Sequence, residues 1–330
     1  MARWSATLDK RIQTVKQAYA NTKTAEELAE TETLIEEIEA LKKEKNAVIL
    51  GHNYMTPDVF WGVSDFSGDS LELSRLAMES EADIILFNGV YFMAETAKIL
   101  NPARKILIAD PKAGCSLSES ITPEDIRLLR ERHPGAEVVS YINCSADIKA
   151  AVDVICTSAN AVKVVNSLKG DTVIMVPDGY LARNVQKQTD KKIIIWEGKC
   201  MVHELYTPLD IDAARVQWPS AKVIAHPECH PNVTEKTDFT GSTSQMGKYI
   251  QDSKAEQVLL LTECSMGDNL RTEFPTVEFV SGCQTCPHMK KITLAKVRDS
   301  LKNETFEVHL SPEVIEKGRH SLERMLAIGR

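Results

Sequence analysis

The chain has 330 residues, 43% apolar and 26% charged, with a formal net charge of −8. That length accommodates two or three domains with ample core, and no apolar run approaches the roughly 20 residues of a membrane span. The acidic balance argues against nucleic acid as the main partner; an anionic ligand must be held by local donors, not by a global field. The eight cysteines are too sparse for a disulfide scaffold, which leaves metal ligation or plain burial.

In chain order, the start "MARWSATLDKRIQTVKQAY" lacks the apolar core of a signal peptide, so the expected location is cytoplasmic. Residues 1–25 read as a helical extension. A first α/β repeat is expected over 26–118. There "LIEEIEALKKEKNAVILGHNY" runs from helix to strand and ends at His52 and Tyr54. "SGDSLELSR" places Ser70 before a helix, "ADIILFNGVYFMAETAKIL" is strand then helix, and "KILIADPKAGC" is a strand running into Cys115. A second repeat, 119–204, follows the same plan. Its strand ends offer Tyr141 and Asn143 in "SYIN", Ser158 in "CTSAN", and Cys200 in "KKIIIWEGKC", with His203 three residues on. A third, 205–290, offers His226 and Glu228 in "AHPEC", Ser242 and Thr243 in "GSTS", and Cys283 and Cys286 in "SGCQTCPHMKK". Residues 291–330 read as C-terminal helices that pack back on the core.

The repeats are visible residue by residue. "TPEDIRLLRERHPGAEVVSYIN" (122–143) and "TPLDIDAARVQWPSAKVIAHPE" (207–228) agree without a gap at eight of 22 positions, where unrelated segments share on the order of one or two. Each reads as a Thr N-cap, Pro at the first helical position, an amphipathic helix, a Pro stop and a strand. His52, Tyr141 and His226 thus become cognate strand ends. Downstream, Asp153 and Asp238 each open a further short strand. Strands alternating with helices imply parallel βαβ units. The expected fold class is therefore α/β: three pseudo-symmetric, three-layer αβα domains with parallel sheets. Ligands of such sheets bind beyond the C-terminal strand ends, so three copies are expected to aim their strand ends at one central space.

Cys115, Cys200 and Cys286 are separated by 85 and 86 residues, while Cys283 lies 83 after Cys200; spacing alone does not choose between the last two. Three thiolates without an obvious fourth suit a centre with one open coordination position. An iron–sulfur cluster fits, with one iron open to a substrate oxygen; a catalytic zinc with three protein ligands and a water is the rival. The one C-x-x-C is weak evidence by itself. No G-x-G-x-x-G follows a strand, and "GSTSQMGKY" is not a P-loop. The hydroxyls of Ser70, Ser158, Ser242 and Thr243 stand at helix starts, where phosphate or carboxylate is held and where plain N-caps also occur.

On "GHNY", "GDSLELSR", "FMAETAKIL", "YIN", "TSANA", "HPEC", "GST" and "CPHMK", the chain resembles the bacterial-type quinolinate synthases from about residue 30 onward. The resemblance implies a transferase of NAD biosynthesis that condenses iminoaspartate with dihydroxyacetone phosphate. It implies a [4Fe–4S] cluster held by one cysteine from each repeat, with one open iron, and it selects Cys286, directly before Pro287, over Cys283. Cys283 is then expected to be a free thiol. Acid–base roles are expected for Glu228, His226 and Tyr54. His52, Tyr141 and Asn143, with Ser70, Ser158, His203, Ser242 and Thr243, are expected to hold substrates. No nucleic-acid or membrane partner is expected, and a functional link to an iminoaspartate-producing enzyme is. A zinc-dependent lyase or aldolase on the same scaffold, or a non-catalytic cluster carrier, are the alternatives.

Overall fold

Helix starts in the chain are written in side chains that replace missing backbone partners. Thr122 and Thr207 each close a capping box with Asp125 and Asp210, and Pro follows at the first helical position in both. Thr24 does the same with Glu27 before the helix Ala25–Glu44. A cap of this kind stabilises a helix by about 1 kcal/mol. Each of these helices leads into the first strand of a sheet. The computed structural model describes residues 6–280 and 282–329; residues 1–5 of the expected N-terminal extension, Ser281 and Arg330 lie outside the described residues. Within the extension, Leu8–Ala18 is helical.

Among the described residues, twelve strands form three four-stranded sheets of one topology. The strands are β1 (Ala47–His52), β2 (Phe66–Gly68), β3 (Ile84–Asn88), β4 (Lys105–Ile108), β5 (Glu137–Tyr141), β6 (Val154–Cys156), β7 (Thr172–Val176), β8 (Lys192–Ile195), β9 (Lys222–Ala225), β10 (Phe239–Thr240), β11 (Gln257–Leu261) and β12 (Glu278–Val280). Their orders are β2-β1-β3-β4, β6-β5-β7-β8 and β10-β9-β11-β12, and the sheets are parallel, flanked by helices. The expected α/β class with three parallel-sheet layers is what the chain adopts. In each sheet the strand order reverses between the first and third strand, which makes His52, Tyr141 and the turn at His226 switch-point positions.

One polar device recurs in all three sheets. Asp153 accepts from the Val138 N–H at 2.7 Å and Asp238 from the Val223 N–H at 2.9 Å. Asp65 accepts from the Ile49 N–H at 2.8 Å, so the first repeat carries the same aspartate despite its degenerate sequence. Each is paired with a cation: Lys42 at 2.7 Å, Arg130 at 3.0 Å and Arg215 at 3.7 Å. These bonds pin the register at the point where the chain returns to the sheet.

The chain divides into two compact units. One comprises the described part of Met1–Ala113 with Glu263–Glu278 and Thr285–His309. It contains the first sheet, and the helix Leu294–Asn303 packs there on the helix Ala25–Glu44 and on β3 and β4. The other comprises Gly114–Thr262, Phe279–Gln284 and the described part of Leu310–Arg330. It contains the second sheet and, apart from Glu278, the third; the helix Pro312–Ile328 packs on the helix Ala146–Ala151, on β6 and on the helix Ala161–Ser167. Among the described residues, no helix is long and apolar enough to cross a membrane.

Candidate active site

The eight cysteines fall into three environments. Cys144, Cys156 and Cys229 are fully buried core residues, and burial raises the thiols of Cys156 and Cys229. Cys264 and Cys283 are disulfide-bonded. The expectation of a free Cys283 thiol is therefore corrected: an oxidised sulfur has no thiolate to offer a metal. Cys115, Cys200 and Cys286 are half-buried and outside any disulfide.

These last three share one local structure. The carbonyl of each accepts the N–H four residues on, at Glu119 (3.0 Å), Glu204 (3.0 Å) and Lys290 (3.2 Å). Each also lies seven residues before the threonine that precedes the next long helix, at Thr122, Thr207 and Thr293. By geometry, Cys286 and not Cys283 is the cognate of Cys115 and Cys200. The turn after Pro287 is a short 3-10 helix, Met289–Lys291, and the long helix begins at Leu294. Burial raises the Cys286 thiol. Burial raises Cys200 as well, helped by the negative charges of Glu228 and Cys115, so a metal taking these sulfurs must displace protons. Ser116 stitches two of the turns together, donating to the Lys199 carbonyl and accepting from the Met201 N–H, both at 3.1 Å. Gly198 is required at the approach to Cys200, because a Cβ there would run into the Pro177 carbonyl and Ser120.

Glu228 is the hub of the second and third sheets' strand ends. Its Oε1 accepts from Tyr141 Oη at 2.5 Å and Asn143 Nδ2 at 3.3 Å; its Oε2 lies 2.9 Å from His203 Nδ1. His203 Nδ1 is also 3.2 Å from Cys200 Sγ, and its Nε2 is 2.9 Å from Thr262 Oγ1. The rings of His203 and His226 stack at 4.8 Å. Burial works against a charge on Glu228, but the two imidazoles and the bonds from His203 and Tyr141 outweigh it and hold the carboxyl well below its ordinary range. His226 Nδ1 accepts the Glu228 N–H at 3.3 Å, which leaves Nε2 to face Ser158 Oγ at 3.2 Å. Donor atoms of Cys200, His203 and Glu228 lie within 4.8 Å of one another.

In the other unit, the turn after β1 repeats this design. His52 Nδ1 accepts the Tyr54 N–H at 3.2 Å, and the two rings meet edge to face at 4.8 Å. Cys286 donates its N–H to the buried Glu263 at 3.2 Å. Lys290 pairs with that carboxylate at 2.7 Å and reaches the Tyr54 carbonyl at 3.4 Å. The Cys286 turn and the His52–Tyr54 turn are thus tied to one another. The hydroxyl residues divide. Ser242 is the N-cap of the helix Thr243–Ser253, closing a capping box with Gln245. Thr243 and Ser70 occupy first helical positions, capped by Ser242 and Asp69. Ser158 lies two residues before the cap Asn160.

Three positioning residues were not expected. Asn184 Nδ2 bonds the carbonyls of Pro227 (2.8 Å) and Cys229 (3.1 Å), and Asn269 Nδ2 bonds those of Asn53 (3.2 Å) and Met55 (2.8 Å). The same residue type, 85 positions apart, braces the turn that presents Glu228 and the turn that presents Tyr54. Asp178, fully buried, caps the helix Gly179–Gln186 through Oδ1. Burial and the Glu228 charge raise its carboxyl well above the ordinary range. Asn184→Ala strips two buried carbonyls of their donor and should cost about 2 kcal/mol of stability, read as a lowered thermal midpoint, together with a fall in turnover. An unchanged midpoint would contradict the bracing role.

A family model described as "Quinolinate synthetase A protein" matches residues 36–327. Among curated relatives, the quinolinate synthase of Sinorhizobium fredii is 54% identical over 289 residues, covering 88% of this chain and 80% of its own. That of Xylella fastidiosa is 53% identical over 294 residues, covering 89% and 87%. That of Caulobacter vibrioides is 52% identical over 297 residues, covering 89% and 81%.

Proposed function

Because the chain belongs to the quinolinate synthase family, we propose that it condenses iminoaspartate with dihydroxyacetone phosphate, with a [4Fe–4S] cluster held by Cys115, Cys200 and Cys286. The observation that carries this reading is the single turn shared by those three cysteines, none of them in a disulfide. Soft thiolates suit iron–sulfur binding, and the cluster would supply a Lewis-acid iron for a substrate oxygen. The overall reaction releases phosphate and two waters and balances without any oxidant, so it needs acid–base work and no net electron transfer.

A zinc centre on Cys200, His203 and Glu228 is less well supported. Glu228 and His203 already satisfy one another, and Tyr141, Asn143 and Thr262 engage their remaining atoms. A metal there would have to break that set. The same bonds suggest the protein's own roles. Tyr141 and Asn143 hold the Glu228 carboxylate in place, and Glu228 holds His203. An ionised Glu228 is a weak base while both imidazoles face it, and becomes stronger when substrate displaces a donor. His226, with its Nε2 toward Ser158, and Tyr54, with its backbone fixed by His52, are the other groups we assign to proton movement. Ser70, Ser158, Ser242, Thr243 and His52 are assigned to the substrates' anionic groups. Quinolinate formation from the two substrates by anaerobically purified protein tests the reading; no product, or full activity in a zinc-only preparation, would overturn it. Thr243→Val should raise the substrate KM about tenfold with the visible spectrum intact; an unchanged KM would remove Thr243 from the substrate set.

A further inference from the structure

A cleft of about 650 Å³ opens beside the strand-end turns of the second and third repeats. Its inner end is formed by Ser158, Pro227 and Gly241, and its outer walls carry Lys163, Lys187 and Glu235. Ser158 is the point of contact with the buried cluster, since its hydroxyl lies 3.2 Å from His226 Nε2. The mouth is unevenly charged. Lys187 is neutralised by Glu235 at 2.6 Å. Lys163 is exposed and has no ion-pair or hydrogen-bond partner among the described residues. On a chain of net charge −8, a small dianion is repelled by most of the surface, and an uncompensated cation at the mouth of a cleft locally reverses that field.

We propose that this cleft is the passage by which small dianions, a phosphate monoester or a dicarboxylate, reach the buried Glu228–His226 site, with Lys163 as the guiding cation and Ser158 at the inner threshold. The inference rests on the quinolinate reading for the identity of the two dianions, dihydroxyacetone phosphate and iminoaspartate. Lys163 acts at a distance and touches none of the reacting groups. Its contribution belongs to the encounter, and therefore to kcat/KM and its salt dependence, and leaves kcat alone.

The test varies each substrate in turn against Lys163→Glu, Lys163→Arg and Gln188→Trp. The last fills the cleft from an exposed position on its wall. At low salt, Lys163→Glu should cut kcat/KM about five- to tenfold for the substrate that uses the passage. The deficit should vanish at about 0.5 M salt, where charges are screened within a few Å. Lys163→Arg should match the wild type, and Gln188→Trp should slow turnover at any salt with the visible spectrum unchanged. A deficit for one substrate only assigns the passage to that substrate. Unaltered kcat/KM for both substrates in Lys163→Glu, or an equal deficit at high salt, would overturn the proposal. Should wild-type protein form no quinolinate, the functional reading falls. The cleft is then judged on the association rate of dihydroxyacetone phosphate, which needs no turnover. Slower association in Lys163→Glu at low salt supports the passage, and an unchanged rate overturns it.

Discussion

Cys115→Ala or Cys200→Ala should leave a colourless protein with no measurable turnover, a loss of at least about 10³-fold, because neither site tolerates a missing thiolate. The two turns are stitched to each other through Ser116. Each cysteine's own backbone bonds are independent of its sulfur, since the carbonyls of Cys115 and Cys200 accept from Glu119 and Glu204. Both variants should therefore fold, and a native circular-dichroism spectrum with lost absorbance separates a missing ligand from a collapsed chain. A coloured, active Cys200→Ala protein would mean that the metal is held elsewhere.

Glu228→Gln should lower kcat by about 10³-fold, in the range expected for removing a positioned acid–base group, while leaving the visible spectrum in place. The change is nearly isosteric. The amide oxygen still accepts from Tyr141, but an NH₂ now faces His203 Nδ1, where the carboxylate oxygen lies at 2.9 Å in the native site. Both stacked imidazoles also lose the charge that faces them. A variant that keeps more than a tenth of the native kcat would reduce Glu228 to a structural role.

Much of the fold was legible in the sequence. The match of Thr122–Val138 with Thr207–Val223 carried the capping boxes, the paired sheets and their parallel order. The first repeat was harder to read because Asp65, the cognate of Asp153 and Asp238, lies in a segment whose spacing has drifted. The common register of Cys115, Cys200 and Cys286 was present in the chain, but not in the cysteine-to-cysteine intervals. Counting on from Cys200 leaves Cys283 and Cys286 undecided, whereas Thr122, Thr207 and Thr293 stand seven residues after Cys115, Cys200 and Cys286 alike. Cys283's oxidised state was not legible, since a pairing depends on distances that sequence spacing does not set. Asn184 and Asn269 escaped notice for a different reason. Their partners are backbone carbonyls some forty to two hundred residues away, and a carbonyl leaves no trace in residue identity. His203, expected among the substrate-holding residues, makes three contacts that sequence spacing does not reveal: Cys200, Glu228 and Thr262.

The three cysteines that share one turn, and no others, are the proposed cluster ligands. Iron and sulfide content of anaerobically purified wild type, Cys283→Ser and Cys286→Ser tests this assignment most directly. About four irons and four sulfides per chain are predicted for the wild type. Cys283→Ser should retain them, and Cys286→Ser should lose them. A cluster lost in Cys283→Ser and kept in Cys286→Ser would contradict the account.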